Sequence, residues 1–158
     1  MARKSKAPTD ADRCAEAARV CACLHVRMAA RSVTRLFDEA LQPAGLRSTQ
    51  FVLLAGIRAM DEVTLPRLAA AVSLDRSALT RALRPMETSG WVALTPGPTG
   101  RATTVKLTAA GRRLVAKAIP LWEAAQGRLV DALSPASWDV LRKDIDGVAA
   151  AADRLLTS

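Results

Sequence analysis

The sequence predicts a mainly α-helical chain with one small β-hairpin and long helices towards both ends. Three observations support this. Apolar residues recur at three- and four-residue steps through most of the 158 residues. One stretch, residues 91–107, switches to a two-residue alternation and holds β-branched side chains. Alanine, leucine and arginine are abundant while aromatic residues make up 3%, a composition that favours helix over strand.

The elements follow in order. Residues 1–12 are polar, contain Pro8 and are predicted as a mobile basic arm. No Gly or Pro interrupts residues 13–41, where Val20, Leu24 and Met28 and then Leu36, Phe37 and Leu41 line an apolar face; one long helix is expected there. Pro43 and Gly45 end it, and Ser48 is placed to cap a short second helix containing Phe51, Leu54 and Ile57. Thr64 opens a third short helix with Pro66 in its first turn, where a missing N–H costs little. After the break at Val72, Ser73 and Leu74, Asp75 caps a fourth helix. Leu79, Leu83 and Met86 mark its buried side, Pro85 predicts a bend in its second half, and Gly90 ends it. The hairpin alternates Val92 with Leu94, then Thr103, Val105 and Leu107, around the turn signal GPTG. Thr108 caps a long helix in which Leu114, Ala118, Leu121, Ala125 and Leu129 recur and Pro120 predicts a bend. Ser134 and Pro135 start the last helix, whose Trp138, Leu141, Ile145, Val148, Ala152 and Leu155 form a coiled-coil-like seam.

Composition narrows the function. A net charge of +8 and a pI near 10.4 point to a polyanionic partner. The excess is local: residues 64–106 carry six basic side chains against two acidic ones, and residues 134–158 carry three against four. Five aromatics and no tyrosine argue against a reader of single strands by base stacking. No apolar run approaches the roughly 20 residues of a membrane span, and the polar start lacks the apolar core of a secretory signal. Cys14, Cys21 and Cys23 are an odd set within ten residues, unlike a disulfide framework, so a cytoplasmic, nucleoid-associated location is expected. One histidine, no metal-ligand spacing, no glycine-rich phosphate loop and no nucleophile elbow leave an enzyme, a metal or a cofactor without support.

Two helices joined by a tight turn, backed by a hairpin, make a winged helix-turn-helix, here over residues 64–107. Its second helix would enter the major groove of double-stranded DNA. Arg76, Thr80 and Arg84 share one face at i, i+4 and i+8, beside Ser77 and Arg81 and opposite Leu79, Leu83 and Met86. Arginine grips guanine with two bonds or holds phosphate. Arg101 follows the hairpin tip, where the wing would carry it to the minor groove. The competing view of these residues is a solvated basic face. The outer helices are too long and apolar for the central module to cover, and a second copy would bury them. This divides the chain into the arm at 1–12, a helical dimerisation region at 13–45 and 108–158, and a winged DNA-binding region at 46–107.

Three segments resemble the MarR family of bacterial regulators: GLRSTQFVLLAGI (45–57), LPRLAAAVSLDRSALTRALRPMETSGWV (65–92) and GRATTVKLTAAG (100–111). The resemblance covers roughly residues 20–155. It implies a homodimer on an inverted-repeat operator, and repression relieved by a small ligand or an oxidant. The family's wing commonly carries an acidic residue two positions before its arginine; Thr99 stands there in this chain, before Arg101. Family ligands lodge between the helical region and the winged domain, which makes His25, Arg31, Ser32, Gln50, Phe51 and Trp122 candidates for contact with an aromatic or carboxylated molecule. The alternative trigger is thiol oxidation at Cys21 or Cys23, near Arg19, His25 and Arg27. On one unbroken helix, however, these two thiols would point about 200° apart. A protein coating DNA without sequence preference is the competing class.

Overall fold

The computed structural model describes residues 8–97 and 102–157. It divides into two units, one ending at Leu36 and the other starting at Phe37.

The first unit is helical. Helix α1 spans Asp10–Val20 and starts on a capping box: Thr9 Oγ1 accepts from the Asp12 N–H, while Asp12 accepts from the Thr9 N–H. This box carries the helix to Asp10, into the end of the segment expected to be a mobile arm. Helix α2 spans Ala22–Leu41. The single helix expected over 13–41 is therefore broken at Cys21, whose backbone is extended (φ −65°, ψ 110°). The break removes the Cys23 N–H, four residues on, that would have met the Arg19 carbonyl in a continuous helix, and His25 Nε2 donates to that oxygen at 2.9 Å instead. With no Gly or Pro nearby, composition gave no sign of it. Every described residue up to Arg35 is exposed.

The second unit holds the core. The end of α2 buries Phe37 and Leu41. After a 3₁₀ turn over Gln42–Ala44, Gly45 adopts a left-handed conformation (φ 73°). Helix α3 spans Ser48–Met60. Its N-cap is Arg47 rather than Ser48: the Gln50 side chain accepts from the Arg47 N–H, and Ser48 gives its N–H and its hydroxyl to Asp38 Oδ1, each at 2.7 Å. A strand not foreseen in the sequence follows, β1 at Glu62–Thr64. Three residues with one buried side chain, Val63, are too few to reveal an alternation.

Helix α4 (Leu65–Ala71) and helix α5 (Arg76–Thr88) come next, then strands β2 (Val92–Pro96) and β3 (Thr103–Leu107), and helices α6 (Ala109–Leu133) and α7 (Pro135–Thr157). Thr64 stands at the N-cap of α4 as expected but makes no side-chain bond there. Helices α5 and α6 run on through Pro85 and Pro120. The sheet is antiparallel in the order β1-β3-β2, with Val63 opposite Val105 and Leu107 opposite Val92. Leu54, Ile57, Leu68, Leu79, Leu83, Met86 and Val105 fill the centre, joined by Leu41 and by Ala118 of α6.

Thr108 fastens the hairpin to α6. Its hydroxyl accepts from the Gly111 N–H at 3.0 Å and donates to the Gly90 carbonyl at 2.6 Å, while its own N–H bonds the Trp91 carbonyl. Gly111 is required because a Cβ there would run into the Trp91 carbonyl oxygen. No helix among the described residues is long and apolar enough to cross a membrane.

Candidate nucleic-acid interface

Helix α4 and helix α5 are joined by a tight turn closed by backbone bonds. The Leu74 N–H reaches the Ala69 carbonyl, and the Ser73 N–H reaches that of Ala70. This is a Schellman closure with Ser73 at the left-handed position (φ 52°). Gly90 (φ 70°) closes α5 in the same way, with the Trp91 N–H on the Met86 carbonyl and its own on that of Glu87. Asp75 starts α5: its carboxylate accepts from the Ala78 N–H at 2.8 Å. That bond, then the Ser77 hydroxyl, then the charge of Arg81, hold the Asp75 carboxyl below its usual pKa.

The apolar side of α5 is fixed inward, with Leu79, Leu83 and Met86 each at most 1% exposed. The opposite side must therefore face solvent. Arg76, Ser77, Thr80, Arg81 and Arg84 are all exposed, as the spacing predicted. Arg76, Arg81 and Arg84 make no ion pair among the described residues, which leaves three guanidinium charges facing outward. Arg67 on the outer side of α4 is also exposed, a basic neighbour outside the set expected from sequence. Thr99 and Arg101 of the wing lie outside the described residues.

At its near end the hairpin closes with the Gly97 N–H on the Ala102 carbonyl. A chain of polar side chains crosses all three strands: the buried Thr104 hydroxyl donates to Glu62 Oε1 at 2.7 Å and lies 3.0 Å from the Thr95 hydroxyl. Sequence reading missed this chain because its partner strand β1 was itself unforeseen. Arg58, Asp61, Glu62, Lys106, Leu107 and Arg112 line a cleft of about 270 Å³. It opens at the end of the sheet where Glu62 pairs with Lys106, the far end from the Pro96–Thr103 pair that leads to the wing tip.

The six residues expected to meet a ligand divide between the units. His25, Arg31 and Ser32 are exposed in the first unit, and the His25 ring is engaged with the Arg19 carbonyl. In the second unit, Phe51 and Trp122 stack with centroids 5.9 Å apart, Phe51 being buried in the core. The Gln50 side-chain oxygen is occupied at the start of α3. Cys14, Cys21 and Cys23 are free and exposed. No group of metal-ligating side chains occurs among the described residues.

The sequence profile of the MarR family matches residues 46–101. The multiple antibiotic resistance protein MarR of Escherichia coli strain K12 is 36% identical over 87 residues, which is 54% of this chain and 60% of that relative. The chain thus matches less than two thirds of the length of this curated relative. Among solved structures, the M. tuberculosis transcriptional regulator MosR in complex with DNA superposes with a TM-score of 0.79 at 37% identity, covering 85% of this chain and 97% of that one. A cysteine-to-serine variant of E. coli MarR complexed with operator DNA gives a TM-score of 0.74 at 26% identity, covering 89% and 99%. In sequence profile, in curated relatives and in fold, the chain belongs to the MarR family.

Proposed function

We propose that the chain is a transcription regulator that binds double-stranded DNA as a homodimer and has no enzymatic activity. The observation that carries this reading is the exposed row Arg76, Thr80 and Arg84 beside Arg81, held outward by the buried face of α5. A recognition helix that enters the major groove needs such a face, and the two relatives solved with DNA support the comparison. Two heads related by a dimer axis would read an inverted repeat. Arg101, preceded by Thr99, is the wing candidate for the minor groove.

The test is selection of duplexes from a random-sequence pool, followed by titration of variants. An enriched palindrome is the expected product, and Arg76→Ala or Arg84→Ala should each weaken its binding by about 1–3 kcal/mol where the arginine makes a bidentate base contact. Equal coating of unrelated duplexes would establish an architectural protein instead. Unchanged affinity in both variants would remove the proposed reading face.

Repression in the cytoplasm, released by a small aromatic or carboxylated ligand, is the accompanying proposal, with His25, Arg31, Ser32, Gln50, Phe51 and Trp122 as its contact candidates. Benzoate added to the protein–DNA complex is a direct probe. A second reading, thiol-based sensing, is favoured by the break at Cys21. Cys21 leaves the helix while Cys23 stays within it, so the opposed helical directions that argued against a joint role no longer apply. Peroxide would oxidise the two thiols to a disulfide and itself be reduced to water. Loss of DNA binding on peroxide treatment in the wild type but not in Cys21→Ser supports this trigger; equal loss in both removes it.

A further inference from the structure

Ser77 and Thr80 sit among three arginines on the exposed face of α5, where a hydroxyl would ordinarily count as a donor to phosphate. Both protons are already committed. Ser77 Oγ donates to Asp75 Oδ1 at 2.8 Å, and Thr80 Oγ1 donates to the Arg76 carbonyl at 2.8 Å. A hydroxyl has one proton, and a phosphate oxygen offers only lone pairs. Neither side chain can donate to the DNA backbone without giving up an internal bond.

The lone pairs of Ser77 have a use of their own. Arg81 Nη1 donates to Ser77 Oγ at 3.1 Å, one helical turn further on. Asp75 Oδ1 is anchored in turn by the Ala78 N–H at 2.8 Å. A continuous chain therefore runs from the first backbone donors of α5, through a carboxylate and a hydroxyl, to a guanidinium. The negative end polarises the hydroxyl so that it becomes a better acceptor for the arginine.

We propose that Ser77 is a positioning residue that holds Arg81 in one orientation before DNA arrives, with Asp75 as its anchor. Ser77 thereby leaves the set of DNA-contacting residues, and the reading is done by the guanidinium groups. An arginine already ordered loses less side-chain freedom on binding than one that must be captured from solution. The proposal rests on the DNA-binding reading and deepens it.

The test is a double-mutant cycle of wild type, Ser77→Ala, Arg81→Ala and the double variant, titrated with the duplex that the wild type selects. Ser77→Ala should weaken binding roughly two- to tenfold when Arg81 is present. In the Arg81→Ala background it should have no further effect. The salt dependence should be unchanged by Ser77→Ala, since the number of charged contacts stays the same, and Ser77→Thr, which keeps the hydroxyl, should restore affinity. Asp75 still caps the helix in every variant, so circular dichroism should show the same helical content. An equal loss from Ser77→Ala in both backgrounds would mean that Ser77 touches DNA directly and would overturn the proposal, as would no loss in either. A wild type that enriches no duplex at all would overturn the DNA-binding reading along with it.

Discussion

At the scale of single residues, the α4–α5 turn and the junction of the hairpin with α6 each depend on one position where side-chain size meets backbone conformation. Ser73 adopts the left-handed backbone at the turn between α4 and α5, a conformation that costs an L-residue about 1 kcal/mol or more. Gly45 and Gly90 occupy the equivalent position at their own helix ends. Ser73→Gly is therefore expected to be stabilising, by up to about 1 kcal/mol after the greater freedom of glycine in the unfolded chain is set against the relief. Urea denaturation measures it, and a loss of more than a few tenths of a kcal/mol would mean that the serine side chain holds the turn in some other way. Gly111 is the converse. Its missing Cβ lets α6 start against the Trp91 carbonyl, so Gly111→Ala must push the hairpin and the helix apart. A destabilisation of about 1–3 kcal/mol is expected, and a variant as stable as wild type would show that this junction yields freely.

At the scale of elements, carboxylates fix the starts of α3 and α5. Asp38 receives the N–H and hydroxyl of Ser48 at the start of α3, and these bonds, then the nearby Arg47 charge, hold its pKa below the usual carboxylate value. Asp75 does the same for α5 through Ala78 and Ser77. A carboxyl whose pKa is depressed in the folded state contributes stability that is complete above its unfolded value. That contribution is lost as pH falls through the folded value. The amide proton signals of Ser48 and Ala78 should therefore titrate with midpoints below 3.8, the ordinary aspartate value, and Asp75→Asn should abolish the titration at Ala78 while keeping the cap. A midpoint at or above the ordinary value would show that these bonds are not held in solution. These elements were legible in the sequence wherever a cap, a Gly or a sustained period marked them: Asp75, Gly90 and Thr108 each do in the structure what their residue type suggests. Two features were not legible. The break at Cys21 has no Pro or Gly and is accompanied by a His25 side-chain bond that no local pattern encodes. Strand β1 exists because β3 offers a free edge, a tertiary cause that three residues cannot announce. On the candidate interface, spacing placed five side chains on one face of α5, but it could not say which would bond to one another.

At the scale of the whole molecule, the head is well buried and α7 is not. Helix α7 has no buried residue, and Val140, Leu141, Ile145 and Val148 are between 40% and 61% exposed. Leu141, Ile145 and Val148 follow the four-and-three spacing of a helix–helix seam. In the first unit, Val20, Val26 and Met28 are at least half exposed as well. Fully burying one such side chain gains about 1.5–3 kcal/mol, so a second copy of the chain has a large apolar area to gain from. Reversing that gain at two positions should be decisive. Leu141→Lys combined with Ile145→Lys would place four unpaired charges in the proposed dimer, and sedimentation should find monomers at concentrations where the wild type is expected to pair. The substituted residues lie outside the core around Leu54, Leu68 and Val105, so circular dichroism should still report a folded chain. Binding to a palindromic duplex should fall towards that of a single half-site, because each head then docks without the other to hold it near. A variant that still sediments as a dimer would place the dimer interface somewhere other than this face of α7.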